Sequence, residues 1–367
     1  DTDYPGLTRD VGRLFLGLDL KCGQCHRHLT VSDYKQVEFN GLFMAYQNLK
    51  VQAPAGDYKT KWVSESLMTK KYEFVSVFTE KKRETAPRVP FGKEIQIPEF
   101  SKDEQWTVAP DRKKRILGTP RFSPIKEIAN HLATKDNPQF ALNIANRVWF
   151  IVIGRGLVEP LDLHHSENPP SHPELLNLLA TELVNHQFDI KWLIRELALT
   201  QTYQRSSLLP DAKTVPAENL FASAHERPIS WEQLFRSFLQ ATGEYSRIVD
   251  GKGKTDENDG KKYSKAEFEK AFAAAFANAA TEPEYEVSPS LRAALFLRNN
   301  DLVLWSLRTR PGNLVHRLAA ITDNSKLADE LYLSTLTRFP DSDERATVQK
   351  YLTANTKDRS RAIGHLA

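Results

Sequence analysis

The chain has 367 residues, 40% of them hydrophobic, and its 50 basic side chains stand against 47 acidic ones for a net charge of +3. A chain of this length buries a substantial core and holds about two domains, and so even a balance gives no reason to expect nucleic acid or an acidic membrane as partner. No run approaches the ~20 apolar residues of a membrane span, and two cysteines are too few for a disulfide scaffold.

The sequence opens at Asp1 with neither an initiating Met nor a signal peptide, and Ser360 to Ala367 reads as helix cut short, so a processed piece of a longer protein is expected. Val11, Leu14, Phe15 and Leu18 have the spacing of one helix stripe, which would deliver Cys22-Gly23-Gln24-Cys25-His26 at the helix's carboxyl end. A second helix is predicted over 33–49, with Tyr34, Val37, Leu42, Ala45 and Tyr46 on its inner side. From Trp62 the pattern turns aromatic and β-branched through Tyr72-Glu73-Phe74-Val75-Ser76-Val77-Phe78, and Glu94-Ile95-Gln96-Ile97 alternates. A small β subdomain is therefore predicted near residues 62–106, inserted in a mainly α, multi-helical fold.

Asp111-Arg112-Lys113-Lys114-Arg115 has no interleaved aromatic residues, so it reads as a solvated linker rather than a phosphate or nucleic-acid patch. It is taken to divide a motif-bearing domain, 1–110, from a helical domain, 111–367. Beyond it, Ser123-Pro124 and Asn137-Pro138 place a cap before a first-turn proline. Ser171 with Glu174, Ser230 with Gln233, Ser264 with Glu267 and Asp341 with Glu344 have capping-box spacing. Residues 250–262 are polar, glycine-rich and aperiodic, predicting a mobile loop; the Gly-x-Gly-Lys-Thr within it lacks a preceding strand and the full phosphate-loop spacing. Phe268, Phe272 and Phe276 recur at four-residue intervals, as a packing stripe does.

The chemistry sits in the Cys motif. Covalent haem attachment needs two thiols for the two vinyl groups and an imidazole that reaches the iron from the same loop, and Cys22, Cys25 and His26 supply them in that order. Two other readings of these residues remain open here: a Cys22–Cys25 disulfide, and a zinc site from Cys22, Cys25, His26 and His28, cramped for four ligands. With haem, His26 is the proximal iron ligand and the distal ligand is open among Met44, His172 and His165. His28 is too near His26 to reach the opposite face and would orient a propionate or the proximal loop. His164, His165 and His172 cluster about Asn168-Pro169-Pro170-Ser171-His172-Pro173-Glu174, where surface and capping roles compete with ligation. His131 suits a buried edge. Asp162, Glu167 and Glu174 read as caps and helix-dipole partners, and no Gly-x-Ser-x-Gly, His-Glu-x-x-His or Rossmann fingerprint is present.

Several stretches together resemble a planctomycete family in which a cytochrome-c-like domain precedes a planctomycete-specific carboxyl-terminal domain of unknown function. They are Phe15 to His28 around the Cys motif, Asp136-Asn137-Pro138-Gln139-Phe140-Ala141, Asn146-Arg147-Val148-Trp149, Gly154 to Pro160, Asn168 to Leu176, Asp189-Ile190-Lys191, Tyr203-Gln204-Arg205-Ser206 and Glu330 to Pro340. Gly23, Arg27 and Leu29 depart from the usual Ala, Asp and Pro, and Leu163-His164-His165 from the usual Asp-Phe-Arg. The resemblance implies a haem site and an exported protein, in the periplasm or at the cell surface, but no reaction.

Three functions follow as expectations: a haem c protein passing electrons to a redox partner protein; an oxidoreductase with an open iron site; and a non-catalytic surface protein with a Cys/His zinc staple, binding a glycan or another protein.

Overall fold

The computed structural model describes residues 3–52, 61–111, 113, 117–207, 215–227, 229–251, 263–277 and 290–367. The protein is mainly helical with small two-stranded sheets, as expected. Its described residues form two compact units, Asp1–Glu226 and Arg227–Ala367. The division read from the sequence, at 110/111, falls inside the first unit. Arg112, Lys114 and Arg115 of the basic run lie outside the described residues, as do 252–262 of the predicted loop.

In the first unit, α1 (Tyr4–Leu16) starts where the Asp3 side chain accepts from the Gly6 amide and stops at Gly17, whose φ of 66° is left-handed. A Cβ at Gly17 would stand 2.6 Å from both Asn143 Oδ1 and His164 Cδ2, so only glycine fits. The fully buried residues of α1 are Thr8, Gly12, against which Leu20 folds back, and Leu16, while of the predicted stripe Val11 packs on the same core and Leu18, just past the helix, is fully buried. Phe15 is left 39% exposed. Helix α2 (Gln36–Tyr46) is shorter than predicted at both ends, since Leu49 already opens β1 (Leu49–Gln52), which pairs with β2 (Trp62–Glu65).

Two more antiparallel pairs follow, β3 (Tyr72–Val75) with β4 (Lys82–Thr85) and β5 (Trp106–Val108) with β6 (Thr119–Pro120). Glu94 to Ile97 is not a strand, contrary to its alternation. Ile95 donates its N–H to Pro87 O (2.7 Å) and Glu94 pairs with Lys71 (2.9 Å), so the segment lies extended against the body with one side inward and no neighbouring strand.

Four helices complete this unit: α3 (Pro124–Leu132), α4 (Pro138–Ile153), α5 (Pro173–Asn185) and α6 (Ile190–Ala198). Ser123 and Asn137 cap α3 and α4 as predicted. The predicted Ser171/Glu174 box does not form. Pro173 starts α5 with His172 as N-cap, and Ser171 instead donates its N–H to Leu157 O (2.7 Å) while its Oγ meets His172 Nδ1 (3.2 Å). One core gathers α4, α5 and α6 around Trp149, Leu176 and Leu193; another gathers α1 to α3 around Leu16, Phe39 and Ile128.

The second unit runs α7 (Trp231–Thr242), α8 (Tyr245–Ile248), α9 (Lys265–Phe276), α10 (Leu291–Asn299), α11 (Asp301–Ser306), α12 (Leu314–Ala319), α13 (Asn324–Leu336), α14 (Ser342–Ala354) and α15 (Arg359–Leu366). The capping boxes at Ser230, Ser264 and Asp341 all form reciprocally. Phe268 and Phe272 are fully buried against Phe235 and Trp305, with Phe276 at their edge, so the predicted stripe is a packing stripe. Truncating Phe272 to Ala should cost about 4 kcal/mol of unfolding free energy by the usual cavity and transfer losses. Urea denaturation measures this, and a loss below about 1 kcal/mol would show that α9 does not carry the core. No helix among the described residues is long and apolar enough to cross a membrane.

Candidate functional site

Beyond Gly17 the chain runs extended: Leu18 bridges to Leu163, and Asp19 donates its N–H to Asp162 O (2.8 Å). The Asp19 carboxylate then accepts from the Lys21 amide (3.0 Å), turning the backbone into a short 3₁₀ helix, Cys22–Gln24. The motif thus follows α1 after a short extended bridge rather than ending it. With three residues per turn, Cys22 and Cys25 fall on one side, and the His26 amide closes on Cys22 O (3.1 Å). Gly23 is buried against Phe39; a Cβ there would meet the Phe39 Cβ at 3.0 Å, which gives this departure from the usual Ala a local reason.

Cys22 is half-buried and Cys25 exposed, and both thiols are free. His26 Nδ1 lies 2.5 Å from Arg27 O, so Nδ1 carries the proton and Nε2 keeps its lone pair. The ring leans on Phe78, with centroids 4.5 Å apart and planes 38° apart. Phe78 belongs to the β3–β4 turn, which is fastened to the motif by Val77 N–H to Cys25 O (3.1 Å). Phe78 is 63% exposed, and Val75 and Val77 are exposed beside it, giving the motif an apolar rim.

His28 turns its Nδ1 to the amides of Val31 (3.0 Å) and Thr30 (3.3 Å), which folds the loop after the motif, and its ring meets Tyr34 edge-on. Among the described residues no three His, Cys, Asp or Glu side chains converge as a metal-holding set. Of the distal candidates, Met44 is 1% exposed inside α2. His165 packs edge-on against Tyr34, and His172 tilts against Phe221.

What holds the motif segment is a polar stripe on α4. Gln139, Asn143 and Arg147 donate to Leu16 O (2.6 Å), Leu14 O (2.9 Å) and Arg13 O (2.8 Å), satisfying the last carbonyls of α1. Arg147 also grips the Asp162 carboxylate, with Arg13 3.9 Å away. Burial nevertheless pushes the Asp162 carboxyl up to about 6, outweighing both guanidiniums. Next to it His164 is driven down to about 4 by burial, helped by Arg147, and is neutral at pH 7. Asp33 is held below the usual carboxylate range by the amide and hydroxyl of Ser166. Sequence reasoning missed this stripe; polar residues at helical spacing inside an apolar helix were its only signal.

A model of the family PSD1, described as protein of unknown function (DUF1553), matches residues 126–352, more than half of the chain. It begins within α3 and leaves out the Cys motif, but takes in α4 and the Leu161–His165 segment that grip it. No curated protein and no solved structure matches the chain.

Proposed function

We propose, for a chain that belongs to the PSD1 family of proteins of unknown function (DUF1553), that its amino-terminal motif binds haem c and that it transfers electrons outside the cytoplasm. One observation carries this reading: Cys22 and Cys25 share one side of a 3₁₀ turn, next to a His26 whose Nε2 lone pair is free and whose surroundings are apolar. Cys22 and Cys25 would hold the group through thioethers and His26 would be its proximal ligand. When bound, haem supplies a one-electron couple, its potential set by ligands and burial.

This chain's residues have definite tasks in that arrangement. The Arg27 carbonyl fixes the tautomer and tilt of His26. Phe78 and Val77 offer apolar surface on which a porphyrin edge can lie, and Phe78 must swing aside or stack as it does so. The same exposed rim suits a transient redox partner protein. The likeness of this segment to planctomycete cytochrome-c-like domains supports the haem assignment, and export follows from it, since c-type attachment is completed outside the cytoplasm.

A second reading, an oxidoreductase with an open iron site, draws on the placement of the distal candidates: Met44 is sealed in α2, and His165 and His172 pack elsewhere. Expression with export and c-type maturation decides the haem question. A denaturing gel should show a haem-staining band for the natural chain, and Cys25→Ala should lose one thioether and most of the stain. A colourless chain with the bare polypeptide mass, or one carrying stoichiometric zinc, sinks the assignment. Rapid cyanide binding to the loaded protein would favour the open site over the electron carrier.

A further inference from the structure

A cavity of about 510 Å³ lies within the first unit, where the Asp33–Glu38 segment faces the His164–Asn168 loop and the start of α5. It is independent of the haem reading. Its acidic groups are already engaged: Asp33 accepts the Ser166 amide (2.7 Å), and Glu38 accepts the Phe91 amide (2.7 Å) while facing Arg88 at 3.5 Å. The groups left over are mostly donors.

His164 is 8% exposed and lines this cavity. Its Cδ2 edge lies against Gly17. Its Nε2 faces the Asn146 amide nitrogen at 3.5 Å, and that amide's other hydrogen goes to Val158 O at 2.9 Å. Nε2 is therefore the acceptor, so Nδ1 bears the proton, and among the described residues it has no hydrogen-bond partner. His165 Nδ1 accepts the Glu167 amide (3.2 Å), which leaves its Nε2 as a second free N–H. Lys35 is exposed, and its charge acts on the Asp33 carboxylate two residues before it without an ion pair within 4 Å among the described residues.

Two acceptors complete the lining. Gln139 donates one amide hydrogen to Leu16 O (2.6 Å), and Asn168 donates both of its own to Leu163 O (2.9 Å) and Glu159 O (3.3 Å), so each retains a side-chain carbonyl oxygen as acceptor. We propose that this cavity binds a small hydroxylated oxyanion, a hydroxy acid or sugar phosphate, with His164, His165 and Lys35 on the anionic oxygens and Gln139 and Asn168 on hydroxyls. The anion needs the donors, and its hydroxyls need the acceptors.

Calorimetric titration of the full chain with glucuronate, glucose 6-phosphate and glucose tests this. At least one of the two anions should bind saturably with a Kd of about 1 mM or tighter, and glucose at least about tenfold more weakly. Which anion binds identifies a carboxylate or phosphate source. Lys35→Met, at an exposed position that should not disturb folding, should weaken the anion about tenfold, with the circular dichroism spectrum unchanged. Absence of binding by either anion at about 10 mM, glucose binding as tightly as its charged analogues, or an unaffected Lys35→Met would each overturn the proposal.

Discussion

Replacing Asn146 by Ala is expected to lower the unfolding free energy by about 4 kcal/mol, a larger effect than polar-to-Ala changes usually have. Asn146 is fully buried on α4 and serves chiefly a backbone turn, with a longer contact to the His164 ring at 3.5 Å. Its Oδ1 accepts the amides of Leu157 (2.8 Å) and Val158 (3.0 Å), and its Nδ2 donates to Val158 O (2.9 Å). Truncation strands three buried backbone groups, and each costs on the order of 1–3 kcal/mol when left unpaired. The turn they shape leads into Leu161 and Asp162, whose backbone receives the Asp19 amide just ahead of Cys22. Urea denaturation of the variant gives the magnitude, and a loss below about 1 kcal/mol would mean that the turn holds itself. Asn146→Asp keeps both acceptors but loses the donor and buries a charge, so it should rescue little.

These features differ in how visible they are in one dimension. Ser123-Pro124, Asn137-Pro138 and the boxes at Ser230, Ser264 and Asp341 act within four residues, so spacing alone identifies them, and each forms. Ser171/Glu174 has the same spacing and fails because Pro173 starts the helix late and Ser171 finds a distant carbonyl at Leu157. Glu94-Ile95-Gln96-Ile97 alternates because one side faces the body; a strand needs a partner, and alternation cannot report one. The Cys motif was legible for its residue types. Its surroundings were not: Phe78 reaches His26 through a hairpin, and the α4 stripe meets α1 across the fold, both contacts between segments remote in sequence.

His164→Gln is expected to change the acid response of the fold rather than its stability at neutral pH. Burial lowers the His164 pKa from 6.5 to about 4, so between those values the unfolded chain binds a proton that the folded chain excludes. The stability this neutral imidazole allows is fully present above pH 6.5 and is lost as pH falls towards 4. At about 1.4 kcal/mol for each unit, the loss is about 3 kcal/mol. Asp162 works in the opposite direction. Burial raises its pKa from 3.8 to about 6, so the folded state holds the extra proton in that interval and stability declines as pH rises through it. The two slopes oppose one another in the natural chain, which flattens its profile. Removing the imidazole leaves the Asp162 slope uncompensated by its neighbour. The gap in unfolding free energy between the natural chain and His164→Gln should therefore shift in the natural chain's favour by about 3 kcal/mol from pH 4 to pH 6.5, read from urea midpoints at each pH. A gap independent of pH would show that His164 takes up its proton in the folded state as readily as in the unfolded one.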